Sequence, residues 1–167
     1  TTDVVVFVDG AISYSAVIPV GARHITSDLA VGLRVSLESA EKIKLYLGKV
    51  SKAPAMPDLT EHDVRSLAHE RSSGPLAHRK EELLDLKALG LPEDLQQKIT
   101  KKGVVDSIIR PRVREIFELV GKEVKKSGFG AQTPSGLVIC GGGALTIGML
   151  EQAKYVLGYP ARTGKAE

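Results

Sequence analysis

Apolar and polar residues change period several times along the chain, and each change marks an element. Residues 4–8 (VVVFV) and 11–20 (AISYSAVIPV) are rich in β-branched side chains and flank Asp9-Gly10, a strong short-range hairpin signal. Two antiparallel strands are therefore predicted at the start. After Gly21 the period lengthens: Ile25, Leu29 and Leu33 fall four apart, with Thr26, Ser27 and Asp28 available to satisfy free amides at a helix start. A second helix is predicted over SLESAEKIKLYLG, where Leu37, Ala40, Ile43 and Leu47 form an apolar stripe and Gly48 supplies a stop. Its other face carries Glu38, Glu41, Lys42 and Lys44.

From Lys49 to Thr100 the pattern weakens. Pro54, Pro57, Pro75 and Pro92, many charges and three histidines occupy this stretch, with a faint helical period only around EELLDLKALG. It reads as an inserted, surface-heavy lobe. Periodicity returns in Val105, Ile109, Val113, Ile116, Val120 and Val124, the mark of an amphipathic helix with Pro111 in its first turn or at a kink. The last part, GLVIC followed by GGGA, LTIGMLEQAKYVLG and PARTGK, reads as strand, turn, helix and one further short strand. The class is α/β.

Composition narrows the function classes. A chain of 167 residues with 43% hydrophobic content can bury an ordinary core. Net charge is only +3, whereas residues 101–126 carry eight basic and four acidic side chains, so the late helix presents a cationic face. Nucleic acid is not the expected partner, because the seven aromatic residues do not interleave with that basic run to stack on bases. The single cysteine, Cys140, excludes a disulfide framework and a multi-cysteine zinc site; within LVIC it is expected to be a core thiol. It also points to a reducing compartment, and with neither a membrane span nor a signal peptide predicted, the cytoplasm is the expected location.

Three groups could carry chemistry. Gly141, Gly142 and Gly143 follow a strand and precede a helix, where missing Cβ atoms let a ligand approach the backbone. They match neither the GxGxxG nor the P-loop spacing, and the same cluster equally makes a tight turn. Glu41 and Lys44 lie three apart and can reach one ligand, the carboxylate accepting ribose hydroxyls and the lysine stem lying along a base; taken by themselves they read rather as a solvated face. Arg110, Arg112 and Arg114 can grip an acidic peptide, or Arg112 can simply pair with Glu115. His62 and His69, beside Asp63 and Glu70, lack a third convergent ligand and are not read as a metal site; His24 and His78 are isolated.

Taken together, AVIPVGARHITSDLAVGLRVSLESAEKIKLYLG, IIRPRVREIFELV and LVICGGGALTIGMLEQAKYVLGYPAR resemble the bacterial cell-division FtsA family, within the actin and DnaK-type ATPase superfamily. The resemblance covers roughly residues 1–50 and 104–165. It implies an actin-like, ribonuclease-H-like subdomain IIA, residues 1–35 and 132–167, with an inserted α/β subdomain IIB, residues 36–131. Thr1, Thr2 and Asp3 look like the end of the second phosphate-binding loop of form D-[IL]-G-G-G-T-T-D. Gly141, Gly142, Gly143 and Ala144, with Gly148, match the adenosine motif, and Glu41 and Lys44 match the adenine-side glutamate and lysine. Gly21-Ala22 stands where the family usually has Gly-Gly. The helix bearing Arg110 and Arg112 resembles the one that docks the acidic and apolar C-terminal tail of FtsZ.

The resemblance further implies a parent that binds ATP and Mg2+, hydrolyses ATP weakly, polymerises with itself as an actin-like filament and tethers FtsZ at the inner face of the cell membrane at the division site. Membrane attachment would come through an amphipathic helix absent here. The first phosphate loop and the IC lobe are also absent, so the chain is expected to supply half of a nucleotide site and to lack hydrolytic activity alone. A PilM-type pilus-assembly adaptor, another lobe of the same superfamily and an inert structural fragment are the alternatives.

Overall fold

The Asp9-Gly10 signal is realised as a hairpin. The structure is a computed structural model that describes residues 1–50, 84, 100–130 and 135–164. Strands β1 (Thr2–Val8) and β2 (Ala11–Ile18) pair antiparallel from Thr2 opposite Ile18 to Val8 opposite Ala11. Asp9 and Gly10 adopt left-handed conformations (φ 50° and 81°), the turn that matches strand twist. The register slips between Val6 and Phe7. Alternation buries Val4 and Val6 and leaves Val5 and Phe7 on the outer face.

Helix α1 (Ala22–Leu33) begins earlier than its polar residues suggest. The Gly21 N–H donates to His24 Nδ1 (3.2 Å) and the His24 N–H donates to the Gly21 carbonyl (2.9 Å), a reciprocal cap. Thr26, Ser27 and Asp28, expected to cap the helix, therefore lie within it: Thr26 and Asp28 face other elements, while Ser27 Oγ donates back to the Arg23 carbonyl of the same helix (3.2 Å). Arg34, left-handed at φ 54°, ends α1. Helix α2 (Leu37–Val50) opens with Ser36 Oγ accepting from the Ser39 N–H (3.2 Å). It continues past Gly48, which does not stop it. Gly48 serves packing instead, since a Cβ there would collide with the Leu145 carbonyl oxygen.

Helix α3 (Lys101–Val104) is capped by Thr100, whose Oγ1 accepts from the Gly103 N–H (3.0 Å). It leads through a wide π-type turn, Val105–Ile109, into α4 (Arg110–Lys126). Pro111 sits in the first turn of α4 and donates no backbone hydrogen bond, so the preceding turn widens rather than the helix breaking. The stripe read from the sequence holds from Ile109 on: Ile109, Val113, Ile116, Val120 and Val124 are buried and Phe117 joins them, but Val105 is only half-buried and Val104 takes its place in the core.

Strand β3 (Leu137–Ile139) pairs parallel with β4 (Ala161–Thr163) through a 3-10 turn, Gly142–Leu145, and helix α5 (Met149–Leu157). This is the strand, turn, helix and strand predicted from GLVIC to PARTGK. Cys140 is exposed, not a core thiol. Leu137 and Ile139 pack on the core, so Val138 and Cys140, one residue out of step, face the other way.

The mixed α/β class is as expected. One apolar cluster joins Val4 and Ile18 of the hairpin, Ile25 and Leu29 of α1, Ile43 and Leu47 of α2, Ile109 and Val113, and Met149 and Ala153 of α5. Leu84, the one described residue between 50 and 100, also enters it. His62, His69, His78 and, apart from Leu84, the EELLDLKALG period lie outside the described residues. Among those residues no helix is long and apolar enough to cross a membrane.

Gly48 offers a test in which local propensity and packing oppose each other. Alanine is the better helix former by about 1 kcal/mol, yet its Cβ must push α2 off the Leu145 carbonyl. Overpacking against backbone costs about 1–3 kcal/mol. Gly48→Ala is expected to lower the melting temperature, and a rise would show that α2 and the 3-10 turn are not held in contact.

Candidate functional site

Three segments far apart in sequence meet at the start of α1. A Cβ on Gly21 would lie 2.8 Å from the Thr1 carbonyl carbon, so only a glycine lets β1 begin against that helix. Thr2 Oγ1 donates to the Val20 carbonyl (2.8 Å) and fixes the same junction. On the other side, the Ala22 Cβ lies 2.8 Å from where a Cβ of Gly143 would stand. Thr1, Thr2 and Gly143 thus abut one helix start. Gly141, left-handed at φ 89°, and Gly142 face open space, while Ala144 is buried beneath them. The glycine turn is therefore approachable from outside and anchored from within.

One turn further along α1, Thr26 meets α2. Lys44 Nζ donates to Thr26 Oγ1 (2.9 Å) and to Glu41 Oε2 (2.8 Å), and Thr26 Oγ1 donates to the same Glu41 oxygen (2.5 Å). The three groups close a triangle in which the hydroxyl both accepts and donates. Lys44 is only 7% exposed, so it does not belong to a solvated face. A buried ammonium needs such partners, because an unpaired one is strongly destabilising. By contrast, the neighbouring Glu38–Lys42 pair (2.8 Å) is the exposed i,i+4 pair its spacing implies. Burial by itself pushes the Glu41 carboxyl up, but the hydrogen bonds from Lys44 and Thr26 and the lysine charge bring it below the ordinary glutamate value.

Glu41, Lys44 and Gly48 follow helical spacing along one side of α2. The triangle binds that side to Thr26, and Gly48 binds it to Leu145 at the end of the glycine turn. The Glu41/Lys44 pair and the triple-glycine bend are thus carried on the same side of α2, joined through α1. This connection was not legible in the sequence, because nothing local identifies Thr26 as the link.

The two arginines lie elsewhere. Arg112 forms a bidentate pair with Asp28 of α1 (Nε–Oδ2 2.6 Å, Nη2–Oδ1 3.0 Å) and also pairs with Glu115. The Glu115 contact is the one the sequence allows; the Asp28 contact spans 84 residues and has no local signal. Beside them Ser107, Ile108 and Pro111 complete a groove of about 240 Å³. Arg110, half exposed, pairs with Asp106 at 2.9 Å. A larger groove of about 350 Å³ runs between α4 and α5, lined by Phe117, Gly121, Lys122, Val156 and Tyr159. Neither groove includes the glycine turn.

The triangle should show in the acid limb of stability. A carboxyl whose folded pKa is depressed contributes stability above its unfolded value of about 4.5, which is lost as pH falls through the lower folded value. Thermal melts of Glu41→Gln are expected to fall below wild type at pH 7 and to converge on it toward pH 3. An equal offset at both pH values would mean that the ionised carboxylate is not what holds Lys44.

Comparison with known proteins bears on the whole chain. The family model described as cell division protein FtsA matches residues 1–167. The chain is 32% identical to the cell division protein FtsA of Neisseria meningitidis over 98% of its own length and 34% of that protein's. It is 32% identical to the same-named protein of Borreliella burgdorferi, again over 98% of the chain and 34% of the relative. To that of Bacillus subtilis it is 30% identical over 94% of the chain and 30% of the relative. It therefore spans about a third of the length of the curated relatives it matches, and with a family match that runs from its first residue to its last, the chain belongs to the FtsA cell-division family.

Proposed function

We propose that this chain forms one wall of an ATP site, and part of a docking surface for the FtsZ tail, in a cell-division protein of the actin-like type. The observation that carries the nucleotide reading is the convergence of Thr1, Gly143 and the start of α1, with the Thr26–Glu41–Lys44 triangle one turn away. Backbone amides around the open Gly141 and Gly142 suit phosphate oxygens. The ionised Glu41 suits ribose hydroxyls, and the buried Lys44 beside it keeps that carboxylate ionised and in place.

Bound ATP would supply a charged polyphosphate that closes this wall against an opposing one. The residues of this chain would orient it and exclude water from one side. Among the described residues no three His, Cys, Asp or Glu side chains converge as a metal cage. A magnesium ion would therefore be held mainly through phosphate oxygens, water and groups beyond these residues. Such a protein would act on the inner face of the membrane at the division site, as its family's role in division supports.

Nucleotide binding is tested at Gly142, where an added Cβ meets nothing within 4 Å among the described residues. In the full-length gene product, Gly142→Val is expected to leave the melting temperature unchanged and to weaken binding of a fluorescent ATP analogue at least tenfold. Wild type that fails to bind the analogue saturably, or a variant that binds it equally well, would remove the proposal.

Docking of an FtsZ tail falls more on Arg110 than on Arg112. The Arg112 guanidinium is already engaged by Asp28 and Glu115, whereas Arg110 has a single exposed partner. Arg110→Glu is expected to weaken an FtsZ C-terminal peptide fivefold or more in fluorescence anisotropy, with stability within about 1 kcal/mol of wild type, the sum of the lost Asp106 pair and the new repulsion from it. Unchanged peptide affinity would take the arginine face out of the docking surface. Arg112→Glu is a poor first choice, since it sets a carboxylate against Asp28 and lowers stability by itself.

A further inference from the structure

The groove of about 350 Å³ between α4 and α5 takes no part in the nucleotide wall, and its lining divides by polarity. Two glycines shape it. A Cβ on Gly121 would lie 3.1 Å from Leu157 Cδ2, so the two helices close tightly at that point. Gly158, left-handed at φ 72°, then ends α5, and the Tyr159 hydroxyl donates to the Gly130 carbonyl beyond α4 (2.5 Å). Phe117 and Val124, only 4% and 8% exposed, form a recessed floor, and the half-buried Val156 and Leu157 form the wall from α5. The rim is cationic. Lys122 and Lys125 are exposed, and among the described residues neither side chain has a hydrogen bond or an ion pair. Glu118, the acidic side chain of the lining, is already taken by Arg114 (3.0 Å), and the adjacent Lys126 is held by Glu123 (2.6 Å).

We propose that this groove docks an acidic amphipathic helix of a partner protein, at a surface separate from the arginines at the start of α4. Charge complementarity specifies the occupant. Lys122 and Lys125, one turn apart, suit carboxylates at the same spacing, while the floor between the helices accepts the apolar side chains beside them. A bilayer fits less well, because it cannot reach a recessed floor and would set anionic headgroups against Glu118. The separation from the arginines follows from helix geometry. Arg112 precedes Gly121 by nine residues, or about two and a half turns, and so meets Asp28 on the opposite side of α4. Arg110 precedes it by eleven, roughly 16 Å along the axis.

The test uses the full-length gene product and three fluorescein-labelled synthetic helices of about 18 residues, long enough to be helical when bound. One carries leucines at i, i+3, i+4 and i+7 with glutamates on the flanks, the second has lysines for the glutamates, and the third has serines for the leucines. In fluorescence anisotropy the acidic leucine helix is expected to bind saturably, and the other two at least tenfold more weakly. Lys122→Gln/Lys125→Gln is expected to weaken it at least fivefold and to melt close to wild type, since both side chains are exposed. Removing two charges outside the groove, Lys42→Gln/Lys102→Gln, should leave binding unchanged, and excess FtsZ C-terminal peptide should not displace the helix. Absence of saturable binding, or equal binding by the groove variant, overturns the proposal. Displacement by the FtsZ peptide also overturns it, because the groove would then belong to the other docking surface. If the helix does not bind, lysine-dependent cosedimentation with phosphatidylglycerol vesicles would assign the groove to the membrane instead. Lysine-dependent self-association in analytical ultracentrifugation would likewise assign it to a second copy of the chain.

Discussion

Three backbones can approach within van der Waals contact only where side chains are missing, and this chain meets that requirement at the start of α1. Gly21 lets Thr1, which leads into β1, rest on the helix, and Gly143 lets the 3-10 turn reach the Ala22 methyl from the other side. The placement of α1 then determines much else. Ile25 and Leu29 enter the core without residual exposure, Thr26 reaches α2, and Asp28 reaches α4. A Cβ at either glycine would move the helix that all three partners are registered against.

The polar contacts of α1 differ in what they contribute. Arg112 and Asp28 are both about 30% exposed on their side chains, so their pair fixes geometry more than it adds stability. Lys44 is different, because its ammonium is nearly excluded from water. Its attraction to Glu41 largely offsets its own desolvation, and removing one partner is far more damaging than the pair is stabilising. The triangle is therefore better understood as a device that holds Glu41 and Lys44 in one place than as a source of folding energy.

Much of the fold was legible because helical and strand periods report which face of an element is apolar. The hairpin at Asp9-Gly10, the α2 stripe from Ala40 to Leu47 though not its first member Leu37, which is exposed, the stripe of α4 and the β3–α5–β4 unit all follow from such patterns. What the period does not report is what covers a polar position. Thr26 and Asp28 look like caps in sequence, and Lys44 looks solvated, because they have partners on other elements. Gly48 was read as a stop for the same reason: a glycine that ends a helix and one that admits a neighbouring carbonyl are identical in sequence. His24, isolated in the sequence, caps α1, a role for which the i,i+3 spacing from Gly21 was the available signal.

The position of the grooves bears on how the candidate site should be judged. Concavity is the usual guide to a ligand site, yet the grooves along α4 lie away from the glycine turn, which stands open at Gly141 and Gly142. For a nucleotide clamped between two lobes, concavity is a property of both walls together, and one wall alone is nearly flat. What a single wall must already possess is order: amides presented by a fixed turn, a carboxylate kept ionised, and a lysine held against its desolvation cost. The glycine turn is pinned by Ala22 and Gly48, and Glu41 is kept ionised by Lys44 and Thr26. Those features argue for the turn over the deeper grooves, whose linings contain apolar helix faces and lysines but no comparably fixed polar cluster beyond the Arg112–Asp28 pair.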